Sequence, residues 1–376
     1  MNSSLPKKIL ILLSSAGGGH VAISQAINQY LSLTPKKYQV EFLDVSPALA
    51  SPLYRVVGEY FQEFHQKNWQ SGNSPKAAKL LHQLNSPLVA PKIAKKLKSF
   101  SPDLVISTSP FSIEEFALAT KTTNHPTPHI IVIADPFTIH HTWTTYKQAD
   151  HYLVPTLKTK QILINRSIPA TNISLSGLPL RLSVYKPQFT QSKARNLFSL
   201  SPKKLTIFIG GSGEGHGQIY KLVQKLITHP QVQSDCQLII VTGKNKLLKT
   251  RLDKLIAKNP TIKTFGYTNQ IDQLLIASDI IVGKPGPNIL FESLMLGKLF
   301  IATSKPLSQE YGNYQYISQK KLGFVTHKTA QTIEVILNLI NHQDKIKLFS
   351  PAIQSHRQKY LQTPQKTLSI INRFLK

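Results

Sequence analysis

Ile281-Val282-Gly283-Lys284-Pro285-Gly286-Pro287-Asn288-Ile289-Leu290-Phe291-Glu292 reads as a buried strand that ends in a glycine/proline turn and passes into a helix. Such a junction offers a diphosphate unpaired backbone N–H groups and the positive end of a helix dipole. The first helical turns bring Glu292 back toward the turn, where its carboxylate can accept both hydroxyls of a ribose. The expectation is a nucleotide-sugar pocket that the rest of the chain completes or supplies with an acceptor.

The same strand–turn–helix order repeats on either side. Residues 205–209 form an apolar run into Gly210-Gly211-Ser212-Gly213-Glu214-Gly215-His216-Gly217, followed by the helical spacing Ile219, Leu222, Val223, Leu226. Five glycines in eight residues let backbone approach a phosphate or sugar without Cβ clashes. Further strands lead into Thr242-Gly243-Lys244-Asn245 and Phe265-Gly266-Tyr267, and a last one precedes Gln309-Glu310-Tyr311-Gly312-Asn313.

The N-terminal half opens alike. Ile9-Leu10-Ile11-Leu12-Leu13 is continuously apolar, as a strand covered on both faces should be, and meets Gly17-Gly18-Gly19-His20 and a one-faced helix. A second strand over 39–45 completes a βαβ unit. Gly17-Gly18-Gly19 lacks the G-x-G-x-x-G spacing, which argues against a dehydrogenase. Strands over 103–107, 130–134 and 152–154 follow, the second ending at Asp135, where ligands of open parallel sheets collect. His140, His141, Trp143 and His151 fit no standard zinc spacing, so they read as acceptor-binding or packing residues. Alternating strands and helices with two glycine-loop starts predict α/β with two parallel sheets.

The stretch from Pro47 to Ser99 has a different texture. An aromatic-rich segment (Tyr54, Tyr60, Phe61, Phe64, Trp69) precedes Lys76, Lys79, Lys92, Lys95, Lys96 and Lys98 interleaved with Leu80, Leu81, Leu84, Ile93 and Leu97. That pattern suits either a helix at a membrane interface or an ordinary amphipathic core helix with its lysines in water.

At 376 residues, 41% hydrophobic, two soluble domains are the default. No run reaches the roughly 18 apolar residues of a membrane span. Lys7-Lys8 and the apolar run resemble a short signal peptide, but the glycines after it read better as a strand-to-helix turn. Cys236 is the single cysteine, which excludes an internal disulfide and fits a reducing compartment. The net charge of +27 divides as +9 before residue 183 and +18 after it, so it forms no single tail. It favours an anionic partner, nucleic acid or acidic membrane. No helix-turn-helix, RNA-recognition or zinc module speaks for nucleic acid.

Together these motifs resemble the monogalactosyldiacylglycerol synthase and processive diacylglycerol glucosyltransferase group of glycosyltransferase family 28, from about Ile9 to Phe324. The motifs that carry it are Gly17-Gly18-Gly19-His20, Asp135 through His140 to Thr142-Trp143, Gly177-Leu178-Pro179-Leu180-Arg181, and the loop from Gly210 to Gly217. Lys284-x-Gly286-Pro287 with Glu292, and Gln309-Glu310-x-Gly312-Asn313, complete the set. The resemblance implies a GT-B architecture, two Rossmann-like domains facing a central cleft. They would divide as 1–183 for acceptor and membrane and 184–376 for the nucleotide sugar, with the last helix free to return to the first.

The same resemblance implies inverting transfer of a hexose from a UDP-sugar to a lipid hydroxyl such as that of diacylglycerol. The setting would be the cytoplasmic, inner face of the cell membrane, with no obligatory metal or cofactor and no nucleic acid. Donor contacts would come from Gly210, Gly211, Gly213, Glu214, Gly215, Gly243, Lys284, Gly286, Pro287 and Asn288. Glu292 would take the ribose, backbone near Phe265 and Tyr267 the base, and Gln309 and Glu310 the sugar hydroxyls. Gly18, Gly19, His140 and Trp143 would serve the acceptor, and Arg181 a phosphate between the domains. His20 and Asp135 both stand as candidates for the general base. Asn288 and Ile289 replace the family's usual glycine and threonine, Val21 a common arginine, and Leu307-Ser308 a Pro-Gly. These departures leave open an altered donor, a divergent acceptor or an inactive paralogue. N-acetylglucosaminyl transfer to a polyprenyl-linked lipid, and UDP-sugar epimerisation without transfer, are the rival enzymatic readings.

Overall fold

A computed structural model describes residues 5–15, 18–46, 72–210, 218–257, 259–306 and 308–375. It divides into two compact units, Met1–Leu182 with Leu307–Gln309 and Gln362–Lys376, and Ser183–Pro306 with Glu310–Leu361. The aromatic segment before Gln70 and the glycine loop at 211–217 lie outside the described residues.

The first unit is built on six strands, β1 (Lys7–Leu13), β2 (Tyr38–Asp44), β3 (Leu104–Ser107), β4 (His129–Val132), β5 (His151–Val154) and β6 (Ile173–Leu175). They pair in parallel in the order β2-β1-β3-β4-β5-β6. Ile9 to Leu12 are wholly buried, which is why β1 is apolar without alternation: helices cover both faces. Helices α1 (Gly18–Leu31), α2 (Pro75–Phe100) and α3 (Ile113–Thr123) belong to this unit. Ser74 caps α2 by accepting the Ala77 N–H, Pro75 takes the first turn, and the helix runs on through Pro87 and Pro91. Val89, Ile93, Leu97 and Phe100 hold α2 in one core with Leu10, Leu12, Val105 and Phe116.

The second unit has β7 (Leu205–Gly210), β8 (Cys236–Val241), β9 (Ile262–Phe265), β10 (Ile280–Gly283), β11 (Leu299–Ala302) and β12 (Gly323–Val325). Their order, β12-β11-β10-β7-β8-β9, is all parallel and is the doubly wound arrangement of a dinucleotide-type sheet. Two helices of this unit bear on the site, α4 (Pro287–Met295) and α5 (Tyr311–Gln319).

The chain's last helix, α6 (Thr363–Arg373), packs on α1. The Tyr38 hydroxyl donates to Asn372 Oδ1 at 2.6 Å, and the Phe374 ring lies 5.7 Å from that of His151. Gly177 explains part of this docking. Its φ of +92° is left-handed, and a Cβ there would stand 2.1 Å from Thr363 Oγ1. The motif glycine is thus fixed by the helix seated on it.

In each sheet the strand order reverses once, between β1 and β3 and between β7 and β10. Ligands of open α/β sheets bind outside the carboxyl ends of the strands at such points. His20 follows β1 and Thr108 follows β3, while Gly210 ends β7 and Gly283 ends β10.

Candidate active site

At the second reversal, Gly283 pairs with Gly210, and a Cβ on Gly283 would stand 2.2 Å from the Gly210 carbonyl oxygen. Only glycine permits this approach. A cavity of about 30 Å³ opens beside it, lined in part by Gly210, Gly283, Lys284, Thr303, Ser304 and His327. Helix α4 starts next to it with Gly286 as N-cap and Pro287 behind, so the cap residue itself has no side chain to bind the first-turn N–H groups. Phe291 anchors the helix, its buried ring stacked 6.1 Å from Tyr316 and edge-on to His356 at 5.0 Å. Glu292 follows directly and is 3% exposed.

The loop after β11 completes this half. Lys284 Nζ pairs with Glu310 Oε1 at 2.9 Å, while Glu310 Oε2 is buried without a hydrogen-bond partner among the described residues. Asn313 Nδ2 donates to the Pro285 carbonyl at 2.8 Å, and its Oδ1 is likewise buried and unpaired. The Tyr314 hydroxyl donates to the Thr303 carbonyl at 2.7 Å, tying α5 to the end of β11. A buried acceptor without a donor costs about 1–3 kcal/mol. Two such acceptors within one turn of helix are groups that a ligand's hydroxyls could satisfy.

At the first reversal, His20 is the third residue of α1, not its cap. Its Nδ1 lies 2.6 Å from the Thr108 carbonyl oxygen. A carbonyl only accepts, so Nδ1 carries the proton and Nε2 the lone pair. Burial holds this imidazole below its ordinary pKa, against the opposing pull of the Thr108 carbonyl. The His20 ring lies 6.1 Å from that of Trp143, whose Nε1 donates to Asp135 Oδ2 at 2.7 Å. One buried indole thus touches both candidate bases.

The segment around Trp143 is clamped from several sides. Arg166 donates to the carbonyls of Ile139 at 2.9 Å and His140 at 3.1 Å, and Asn73 Oδ1 accepts the His141 N–H at 2.9 Å. His140 Nδ1 accepts the Thr142 N–H at 3.2 Å, and burial with the neighbouring cations lowers its pKa to about 4. The histidines of this stretch therefore shape the turn.

Of the other residues marked in the sequence, Gly18 and Gly19 open α1, where a Cβ would meet nothing within 4 Å. Arg181 follows Leu180, whose N–H and carbonyl are both bound by the Tyr30 hydroxyl at 2.8 and 2.6 Å. Gly243 turns the chain after β8, Phe265 ends β9 with its ring 5.5 Å from Phe198, and the Tyr267 side chain is exposed. Asn288 sits in the first turn of α4 and Gln309 is half-buried just before Glu310. Gly211, Gly213, Glu214 and Gly215 lie outside the described residues. Sequence reading passed over Asn313 as a side chain in its own right, and Thr108 altogether. No spacing rule points to Thr108, because its contact with His20 spans 88 positions.

Residues 20–180 match the family model for monogalactosyldiacylglycerol (MGDG) synthase, and residues 206–367 that for the glycosyltransferase family 28 C-terminal domain. The chain is 26% identical to a probable chloroplastic monogalactosyldiacylglycerol synthase of Nicotiana tabacum, over 93% of this chain and 68% of that protein. It is also 26% identical to the processive diacylglycerol beta-glucosyltransferase of Staphylococcus epidermidis, over 94% of this chain and 90% of the other. Among solved structures, an Anabaena protein in complex with UDP-glucose aligns with a TM-score of 0.59 at 15% identity, covering 97% of this chain and 98% of that one. This last likeness concerns the fold, which is GT-B. With the two modules in order over most of its length, the chain belongs to the monogalactosyldiacylglycerol synthase group of glycosyltransferase family 28.

Proposed function

We propose that this glycosyltransferase moves a hexose from a UDP-sugar, with inversion, to the hydroxyl of a diacylglycerol-type lipid at an anionic membrane surface. The observation that carries the donor side is the pair of buried acceptors, Glu310 Oε2 and Asn313 Oδ1, without partners among the described residues, beside Lys284 and the start of α4 at Gly286. Sugar hydroxyls satisfy the acceptors, and Glu292 takes the ribose. The helix N-terminus meets the charge that develops on the departing diphosphate. This reading calls for no cofactor beyond the donor itself.

His20 is the general base. Its tautomer supports the role: Nε2 takes the proton of the lipid hydroxyl as the oxygen attacks the anomeric carbon. The bond from that carbon to the diphosphate breaks as UDP leaves with the electron pair. Asp135, engaged by Trp143, helps hold the acceptor's surroundings.

Helix α2 supports the membrane part. Its buried stripe faces the core, whereas Leu80, Leu84 and Leu88 are 55%, 67% and 60% exposed on the opposite face. Exposed Lys76, Lys79, Lys92 and Lys95 lie among and around them. Leucines that enter the interface and lysines that meet anionic headgroups fit this face. No helix among the described residues is long and apolar enough to cross a membrane.

The test is a panel of UDP-sugars against diacylglycerol, ceramide and undecaprenyl acceptors in anionic vesicles, read by mass spectrometry. A hexosyl-diacylglycerol product is expected. Transfer to undecaprenyl lipid alone, or sugar isomerisation without transfer, would overturn the acceptor assignment.

A further inference from the structure

Inside the first unit, a charged pair that the reaction does not use lies wholly buried between α2 and α3. His82 Nδ1 is 3.0 Å from Glu115 Oε1, and both side chains are inaccessible to solvent. The same oxygen receives Asn85 Nδ2 at 3.2 Å and Ser86 Oγ at 3.4 Å. The other ring nitrogen, His82 Nε2, lies 3.1 Å from the Thr142 carbonyl oxygen. A ring with acceptors at both nitrogens carries both protons, so His82 is an imidazolium. Burial alone would lower its pKa. The hydrogen bond and charge of Glu115, then Glu114 on the same helix and the Thr142 carbonyl, raise it above the ordinary value. Among the described residues, His140 is the other titratable group that bears on it, from the turn.

Buried ion pairs are costly and seldom a net source of stability against an apolar replacement. This one is aimed at a single peptide unit. Thr142 C=O and Trp143 N–H belong to the same peptide plane, and the Trp143 N–H donates to the His140 carbonyl at 3.2 Å. The indole that follows binds Asp135 and lies against His20. We infer that His82, charged and held by Glu115, is a positioning residue: it sets the Thr142–Trp143 peptide and thereby aligns Asp135 and His20 on the acceptor. The inference rests on the transferase reading above for its catalytic readout, and on the indole for an independent one.

Two substitutions separate the two bonds. In His82→Gln the amide nitrogen falls near the position of Nε2, keeping the Thr142 bond and giving up Glu115. In His82→Asn it falls near Nδ1, keeping Glu115 and giving up Thr142. Misplacing reacting groups by about 1 Å costs roughly 100-fold in rate. We therefore expect H82N to lose about 10- to 100-fold in kcat, with the KM for the UDP-sugar within about twofold, and H82Q to stay within severalfold of wild type.

Trp69 and Trp143 are the chain's two tryptophans, so a Trp69→Phe background isolates the indole at the site. In it, emission and acrylamide quenching of Trp143 should change in H82N and not in H82Q. Equal kcat and equal Trp143 emission in the two folded variants would overturn the inference. If H82N does not fold, H82Q decides alone: near-wild-type turnover and emission support the role, and a loss as large as that of H20A overturns it. Should the parent chain transfer no sugar to any lipid, the functional reading fails while the fluorescence comparison still decides this one.

Discussion

For single residues, what matters is where individual atoms can give or take a proton. Glu292→Ala removes the carboxylate proposed to hold the ribose, and loss of a charged hydrogen-bond partner of this kind costs about 1.5–3 kcal/mol. UDP affinity should fall roughly 10- to 100-fold in calorimetry; an unchanged affinity would remove the assignment. His20 has its pKa lowered by burial, so the neutral, proton-accepting form persists below the ordinary value of about 6.5. Turnover should be level near neutral pH and drop as the medium is acidified through the depressed value. His20→Ala should abolish that limb and cost about 100-fold or more in kcat, with little change in donor affinity. A pH profile of the variant that still shows the acid limb would assign it elsewhere. Glu292 and Glu310 could be proposed from the sequence because each sits beside a glycine/proline turn. The sequence left His20 and Asp135 equal as candidate bases; the contacts that favour His20, with Thr108 and with an indole bound to Asp135, form only on folding.

At the element scale, α2 shows what periodicity leaves undecided. The sequence offered Leu80, Leu81, Leu84, Ile93 and Leu97 as one apolar set. The structure divides it: Ile93 and Leu97 are fully buried in the core, and Leu80 and Leu84 face outward with Leu88. A helix with two apolar sides gives no single stripe: the core reading holds for Ile93 and Leu97, and the proposed membrane contact would use the outward leucines. Leu84→Glu with Leu88→Glu should leave thermal stability within about 0.5 kcal/mol, as surface changes do, while weakening sedimentation with anionic vesicles severalfold. Ile93→Ala should instead cost about 2–5 kcal/mol by the cavity it leaves. Vesicle binding that ignores the double glutamate variant would place the membrane contact on another face.

Over the whole molecule, both sheets were legible because parallel strands buried on two faces are written as continuous apolar runs closed by glycine turns. The return of α6 to the first unit was less so, because it depends on the space above Gly177 that Thr363 occupies. Buried histidines set the pH response of the fold. Burial keeps His129 and His356 neutral down to about 3, and His140 and His151 to about 4. The unfolded chain takes up these protons near pH 6.5, so the stability they contribute is complete above that pH and drains as the medium is acidified toward 3. His82 has the opposite sign, its share being lost as pH rises through its raised value. Tm should fall steadily from pH 6.5 to 4.5 by scanning calorimetry; a level Tm across that window would contradict the neutral assignments. With a net charge of +27, the proposed membrane contact should be salt-sensitive, vesicle binding weakening as salt rises. A crystal structure with UDP decides whether the second unit holds the donor. The diphosphate is expected at the start of α4, beside Gly283, with the ribose hydroxyls on Glu292. A nucleotide bound at any other place, or a ribose that does not touch Glu292, would contradict it.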